Sequence, residues 1–270
     1  MIQQQKAACI AAAQAGGQVL LRLFRHLDPA SVTEKTKNDL VSQADRDSEA
    51  VIKAELDRRF PQYRFLGEEG GASGGGPSDG DETPRWIVDP LDGTLNFVQG
   101  FPHWCVSVAL WDERGGLAGC IHDPLRQDLF VAARGQGASW NGRPMSVSRQ
   151  GLDGAFLATG FAWQLEERFP AYNRALCAVF PRAKGIRRAG SAALDLAHTA
   201  CGIYDGFFEL GLKPWDFAAG VLLVQEAGGV VSDWQGADGW KASGNLVAGN
   251  REVQRELVAE FKDTSPAPPG

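Results

Sequence analysis

Neither a Cys-x-x-Cys pair nor a histidine set at zinc-ligand spacing occurs in this chain, and its five cysteines (Cys9, Cys105, Cys120, Cys177, Cys201) are odd in number and widely separated. A disulfide framework and a zinc module are thereby excluded; reduced thiols in the cytosol fit best. Lysine and arginine form no block. With a formal net charge of −6 and an isoelectric point near 5.3, electrostatically driven nucleic-acid binding is not expected, and the partner is a small molecule. The four histidines, His26, His103, His122 and His198, share no spacing and read as surface or packed side chains. Long hydrophobic runs are missing too. The Ala-rich N-terminus is interrupted by Gln14, Gly16, Gly17 and Gln18 and followed by Arg22 and Arg25, so neither a signal peptide nor a membrane span is expected, and the cytoplasm is the expected location. There is no internal repeat.

What is present is an ordinary balance for a chain that folds on its own core, 44% hydrophobic and 22% charged over 270 residues. One stretch stands out, Trp86-Ile-Val-Asp-Pro-Leu-Asp-Gly-Thr-Leu-Asn-Phe97. Trp86 to Val88 is a short β-prone run, Asp89-Pro90 is expected to stop it, and Asp92-Gly93-Thr94 opens a new helix. Two carboxylates at a strand end beside helix amides suit a hard cation and an anion together. The same residues also read as turn signals, with Asp92 capping the helix it precedes.

Along the chain, Ile10, Ala13, Gly17, Leu20, Leu21, Phe24 and Leu27 predict an amphipathic helix over about 3–27 ended by Asp28-Pro29. Ser42-Gln-Ala-Asp45 has the form of a capping box for a second helix running to Phe60-Pro61, where Asp45 in the first turn has a structural explanation of its own. Tyr63 to Leu66 predicts a strand delivering Glu68-Glu69. The glycine-rich segment from Gly70 to Thr83 is expected to lapse from order, as a lid or a long surface turn. Residues 105–111, 117–121 and 129–133 predict antiparallel strands. Near residue 150 the pattern turns to alternating strands and helices, with helices at about Glu166–Val179, Ser191–Ala200, Trp215–Glu226 and Glu252–Phe261. We place a soft boundary there, between an N-terminal α+β subdomain (1–150) and a C-terminal α/β subdomain (151–263). Residues 264–270 are expected to be a disordered tail.

Gly67-Glu68-Glu69, Trp86-Ile-Val-Asp-Pro-Leu-Asp-Gly-Thr94 and Pro214-Trp215-Asp216-Phe-Ala-Ala-Gly220 followed by Glu226-Ala-Gly-Gly229 resemble the signatures of the inositol monophosphatase family. Ala158-Thr-Gly-Phe161, Gly190-Ser-Ala-Ala-Leu-Asp195 and Asp205-Gly-Phe-Phe-Glu-Leu-Gly211 resemble its bacterial inositol-1-monophosphatase branch, so the likeness covers nearly the whole chain. It implies an α/β (α+β) fold, the layered α-β-α-β-α sandwich of the sugar phosphatases, usually as a lithium-sensitive homodimer. It also implies Mg²⁺-dependent hydrolysis of inositol monophosphate. Fructose-1,6-bisphosphate, a 3′-phosphonucleotide, or a weakly catalytic regulatory role are the alternatives within the same fold.

Acids gathered without matching Arg or Lys raise one another's pKa unless a cation sits among them. Oxygen donors alone, with no His or Cys in the motifs, point to Mg²⁺ or Mn²⁺. By resemblance, Glu68, Asp89 and the backbone carbonyl of Leu91 hold one ion, Asp89, Asp92 and Asp216 a second, with Glu68 reaching a third, more labile one. The resemblance makes Thr94, backed by Asp45 and with Glu68 nearby, the group that orients the attacking water. It gives the Gly93 and Thr94 amides to the phosphate, and Glu209 with Gly190, Ser191 and Ala192 to the polyol hydroxyls. For the last three, plain helix capping explains the residues equally well. Lys35 or Lys37 matches the family's lysine. Leu95, where the family commonly has Thr, and Gly70, where Ser is common, depart from the pattern without removing a ligand.

Overall fold

The β-prone runs and amphipathic stretches sort into five layers in a computed structural model that describes residues 1–36, 39–73, 83–161 and 167–262. The first layer is α1 (Ile2–Leu23) and, beyond a ribbon of β1 (Thr33–Thr36) and β2 (Asp39–Val41), α2 (Gln43–Arg59). Helix α1 stops short of the predicted Leu27 because Arg25 takes φ 63°, a left-handed conformation that no α-helix continues through. Its buried stripe is mostly Ala and Gly, which lets it lie close to its neighbours: a Cβ on Gly16 would meet Ile52 Cδ1 of α2 at 2.7 Å. The capping box is present. Ser42 Oγ accepts from the Ala44 amide at 3.1 Å and Asp45 Oδ2 accepts from the Ser42 amide at 2.7 Å.

The second layer is an eight-stranded sheet. In chain order its strands are β3 (Arg64–Gly67), β4 (Gly71–Ser73), β5 (Arg85–Asp92) and, after a short helix α3 (Thr94–Val98), β6 (Cys105–Asp112), β7 (Gly115–Asp123), β8 (Asp128–Ala133), β9 (Ala138–Trp140) and β10 (Arg143–Pro144). Their spatial order is β10-β9-β8-β7-β6-β5-β3-β4. The β6–β8 meander is antiparallel as the sequence predicts, whereas β3 and β5 run parallel, with their carboxyl ends on the same side.

Two expectations are corrected in this sheet. Asp89-Pro90 does not stop β5, which runs on to Asp92. Its register against β6 shifts between Asp89 and Asp92, and such an irregularity accommodates a proline that has no N–H to give the ladder. Nor is order lost at Gly70, because Gly71–Ser73 pairs back on β3, with Gly71 at φ 66° where the chain reverses. Residues 74–82 of the glycine-rich segment lie outside the described residues, as do Lys37 and the 264–270 tail.

The remaining elements are β11 (Phe156–Thr159), α4 (Phe169–Val179), β12 (Gly185–Arg187), α5 (Ala192–Ala200), β13 (Gly206–Glu209), α6 (Pro214–Glu226), β14 (Val230–Ser232), α7 (Trp240–Ser243), β15 (Leu246–Gly249) and α8 (Arg251–Phe261). Helix α4 starts at Phe169 with Pro170 in its first turn; residue 166, the predicted start, lies outside the described residues. The five strands form a mixed sheet ordered β12-β11-β13-β15-β14. Helices α5 and α6 fill the space between the two sheets, with Leu194, Leu196, Phe217, Leu222 and Leu223 in that core, and α4 and α8 cover the outer face of the smaller sheet around Tyr172, Trp234 and Phe261. Helices α1 and α2 pack through Leu20, Ile52 and Leu56 onto the far face of the larger one. The order of layers is α-β-α-β-α, the sandwich implied by the resemblance. Among the described residues no helix is long and apolar enough to cross a membrane, and all five cysteines are free.

Candidate active site

The parallel pairing of β3 with β5 sets Gly67 against Val88, and the Glu68 amide donates to the Val88 carbonyl at 3.2 Å, so Glu68 and Asp89 leave the sheet as neighbours. The amino ends of α5 and α6 meet them there. Asp92 Oδ2 accepts from Ser191 Oγ at 2.6 Å and from the Ala193 amide at 2.7 Å, while Asp216, in the first turn of α6, accepts from the Lys213 amide at 2.7 Å. The capping expected of Asp92 is therefore real but displaced: it serves α5, not α3. The N-cap of α3 is Gly93, at φ 96°, where an added Cβ would stand 3.0 Å from the His103 carbonyl oxygen.

Electrostatics joins these acids into one group. Burial and then the charges of Glu68, Asp92 and Asp216 hold the Asp89 carboxyl well above the usual range. Asp216 is raised by burial, then by Asp92, against the pull of the Lys213 amide. Burial lifts Asp92 to about 6 despite the Ser191 hydroxyl and the Ala192 and Ala193 amides. Among the described residues no three acid, histidine or cysteine side chains stand close enough, as they are placed, to hold a metal ion together. Three of the four carboxylates are instead tethered by backbone amides: Asp89 Oδ1 by that of Leu91 at 3.0 Å, Asp92 and Asp216 as above. Such a group fits a hard divalent cation, because its donors are all oxygen and their mutual repulsion is what a cation would relieve. Cys105 does not alter that. Its buried thiol is pushed up, stays protonated, and lies 3.9 Å from Asp92 Oδ2 as a weak donor.

Beside the acids is a cavity of about 150 Å³ lined by Asp92, Gly190, Ser191, Ala192, Glu209 and Asp216, with Thr159, Gly160, Arg188, Asp195 and Leu212 completing the wall. Six of the predicted residues thus share one space. Glu209 is pushed up to about 8 by burial, with Arg188 opposing the rise. It packs directly on Gly160, where any side chain would collide with its carboxyl. Thr94 stands apart from the cavity wall. Its Oγ1 is 3.0 Å from Asp45 Oδ1 and 3.0 Å from the Leu91 carbonyl oxygen, and Asp45 is fully buried, raised by desolvation against the Ser42 and Thr94 hydrogen bonds. Leu95 is 54% exposed, so it leaves this pair untouched. The Lys35 side chain is not among the described parts of the structure.

Several residues escaped the sequence reading. Arg188 donates to the Phe161 carbonyl at 3.2 Å and lies over the Phe161 ring, and it is the one cation lining the cavity among the described residues. Asp195 is 1% exposed and its Oδ1 has no hydrogen-bond partner in the structure. The spacing Ser191 to Asp195, one helical turn, was the available signal. Ser48 and Glu49 fall one turn after Asp45 in the same way.

A family model described as the inositol monophosphatase family matches residues 2–265. The chain belongs to that family, whose members are metal-dependent phosphatases. It is 41% identical over 255 residues to the Nus factor SuhB of Escherichia coli K12, covering 94% of both chains. Among solved structures it is similar to the extragenic suppressor protein suhB of Bartonella henselae (TM-score 0.87, 40% identity, 95% of this chain and 97% of that one). It is also similar to the inositol monophosphatase of Anabaena (TM-score 0.86, 38% identity, 98% and 97%).

Proposed function

We propose that this protein hydrolyses inositol monophosphate to inositol and phosphate in a Mg²⁺-dependent reaction, with Mn²⁺ as a substitute. The observation that carries the reading is the meeting of Glu68 after β3, Asp89 and Asp92 on β5, and Asp216 on α6, three separate parts of the chain, beside a cavity that Asp92 and Asp216 help to line. Glu68, Asp89 and the Leu91 carbonyl would hold one cation, and Asp89, Asp92 and Asp216 another. When bound, such ions neutralise the ester's charge, acidify water and stabilise the departing alkoxide.

The chain's own groups supply position and proton transfer. Thr94 Oγ1 accepts the proton of the attacking water as its own hydrogen passes toward Asp45 Oδ1, 3.0 Å away. The Gly93 and Thr94 amides take phosphate oxygens. Glu209, with the backbone at Gly190 to Ala192, receives the polyol hydroxyls, and burial of the cavity wall keeps bulk water from competing. Ser191 acts through Asp92, since its hydroxyl is committed to that carboxylate at 2.6 Å. Removing it by Ser191→Ala is expected to lower kcat/KM about tenfold through misplacement of Asp92. Steady-state kinetics, with urea unfolding as the control for the lost N-cap, measure this.

Phosphate release from inositol 1-phosphate, with Mg²⁺ and with EDTA, tests the proposal; absent or metal-independent release overturns it. A panel including fructose-1,6-bisphosphate and a 3′-phosphonucleotide, compared by kcat/KM, decides the alcohol. Inhibition by Li⁺ and a homodimer are proposed on the resemblance, a cytoplasmic location on the widely separated cysteines, and the soft division near residue 150 on the change of pattern there. A second reading is favoured by one comparison: the Escherichia coli relative is named a Nus factor. On that reading this chain also works through contacts with other macromolecules, and the expectation of a small-molecule partner alone is too narrow. If a variant lacking hydrolysis still supported the cellular role, this second reading would stand.

A further inference from the structure

Helix α2 carries Asp45, Ser48 and Glu49 at i, i+3 and i+4, so all three share one face, and all three are buried. Each is bonded to a different segment of the candidate site. Asp45 Oδ1 takes the Thr94 hydroxyl at 3.0 Å, Ser48 Oγ donates to the Pro90 carbonyl at 2.9 Å, and Glu49 accepts from the amides of Glu69 and Gly70 at 2.9 and 2.6 Å. The Glu49 carboxylate therefore grips the turn that immediately follows Glu68, one oxygen to each of two successive amides. Glycine at positions 67 and 70 makes room for it: a Cβ on Gly67 would collide with that carboxylate, and one on Gly70 would stand 2.7 Å from Oε1. Ser48 meanwhile fastens the irregular stretch of β5 between Asp89 and Asp92, where the register against β6 shifts.

We propose that Ser48 and Glu49 are positioning residues which fix the end of β3 relative to the end of β5, and so set the affinity of the carboxylate cluster for a divalent cation. The inference rests on the reading of that cluster as a cation site. Neither residue is assigned to the cation or the substrate: the Ser48 hydroxyl is committed to the Pro90 carbonyl and both Glu49 oxygens to backbone amides. Glu68 follows the end of β3 and Asp89 stands where β5 becomes irregular, the two strands joined there by the 3.2 Å bond from the Glu68 amide to the Val88 carbonyl. A rigid third body holding both ends makes the distance between the two carboxylates a property of the helix rather than of two loops. Misplacement of ligands by a fraction of an ångström is enough to cost affinity, which is why outer groups that orient ligands are worth about 10–100-fold in metal binding.

The test compares the full-length wild type with Glu49→Gln, Glu49→Ala and Ser48→Ala, titrated with Mn²⁺ and followed by the electron paramagnetic resonance of the free ion, with Tm measured in EDTA. Gln keeps one acceptor oxygen and Ala keeps none. Mn²⁺ affinity is therefore expected to fall about tenfold in Glu49→Gln and further in Glu49→Ala, and at least threefold in Ser48→Ala. Phosphate release at saturating Mg²⁺ should recover most of the wild-type kcat in Glu49→Gln, because no reacting group has been removed. A role confined to folding would lower Tm and leave the Mn²⁺ titration where it was. The proposal is overturned if every folded variant binds Mn²⁺ within twofold of wild type; if the Glu49 variants fail to fold, Ser48→Ala decides by its threefold criterion. Should the wild type itself bind no Mn²⁺, the reading of the cluster fails and this inference falls with it, a result distinct from tight binding in wild type and variants alike.

Discussion

Asp89→Asn is expected to hydrolyse inositol 1-phosphate about a thousandfold more slowly than wild type at any Mg²⁺ concentration, and yet to resist urea better when both proteins are free of metal. The two effects share a cause. Asp89 is 2% exposed and faces the charges of Glu68, Asp92 and Asp216, so in the absence of a cation its ionised form is disfavoured first by burial and then by repulsion. Asparagine keeps the oxygen that accepts from the Leu91 amide at 3.0 Å and deletes the charge. A group held against its solvation preference for the sake of a ligand gives this opposed pair of changes on removal. Parallel assays and urea melts in EDTA measure them. A variant that keeps a tenth of the activity, or that melts earlier than wild type in EDTA, contradicts the account.

Metal-free protein should also lose stability as pH rises from about 6.5 to 8, and Mg²⁺ should restore it. Glu209 has a folded value of about 8 against 4.5 for the ordinary side chain, so over this range the folded chain holds a proton that the unfolded chain has released. Its contribution is therefore present at low pH and lost as pH climbs through the folded value. Asp89 and Asp216, both raised, act in the same direction. His103, His122 and His198 are pushed down by burial and work the opposite way, but only below their ordinary value of 6.5, which leaves the window above it to the acids. Glu209 alone accounts for ~2 kcal/mol between pH 6.5 and 8, one proton at about 1.4 kcal/mol per pH unit. Urea melts of wild type and Glu209→Gln across this range, in EDTA, should differ in slope by that amount. Adding Mg²⁺ at about a hundred times its dissociation constant should return ~2.7 kcal/mol, and more at pH 8 than at pH 6.5 because the ion binds the deprotonated cluster. A flat profile in EDTA would count against the burial of these carboxyls.

How much of this was legible beforehand depended on whether the cause was local. Capping of α2 by Ser42 and Asp45, the meander of β6 to β8, and the helix openings at Ser191 and Asp216 are written in neighbouring residues, and the structure has them where the spacing puts them. The run through Asp89-Pro90 was misjudged because proline's missing donor was weighed without the register shift that tolerates it. Order at Gly71 to Ser73 was missed since pairing with β3 outweighs a flexible composition. For the candidate site, the acids and Thr94 were readable through the family motifs, and the structure brings the acids to one place. That Asp92 caps a helix whose N-cap lies 99 residues further on was not readable. Arg188, Ser48 and Glu49 were invisible for the same reason: their partners at Phe161, Pro90 and the 69–70 turn are chosen by packing, which no short window of residues contains.

The bond from Ser191 to Asp92 has a consequence for the order in which the molecule is made. The larger sheet, with α1 and α2 against it, is complete by Pro144, but its inner face and its acids still await α5 and α6. During synthesis, then, a nascent chain displays a half-covered sheet, its open face apolar around Ile87, Ile121 and Phe130 with the acids at one edge, until about residue 226 has left the ribosome. Contacts this far apart along the chain form late and slowly. The cluster suited to a cation is thus among the last things to assemble, and a chain cut short before α6 carries Glu68, Asp89 and Asp92 without the Asp216 that completes the group.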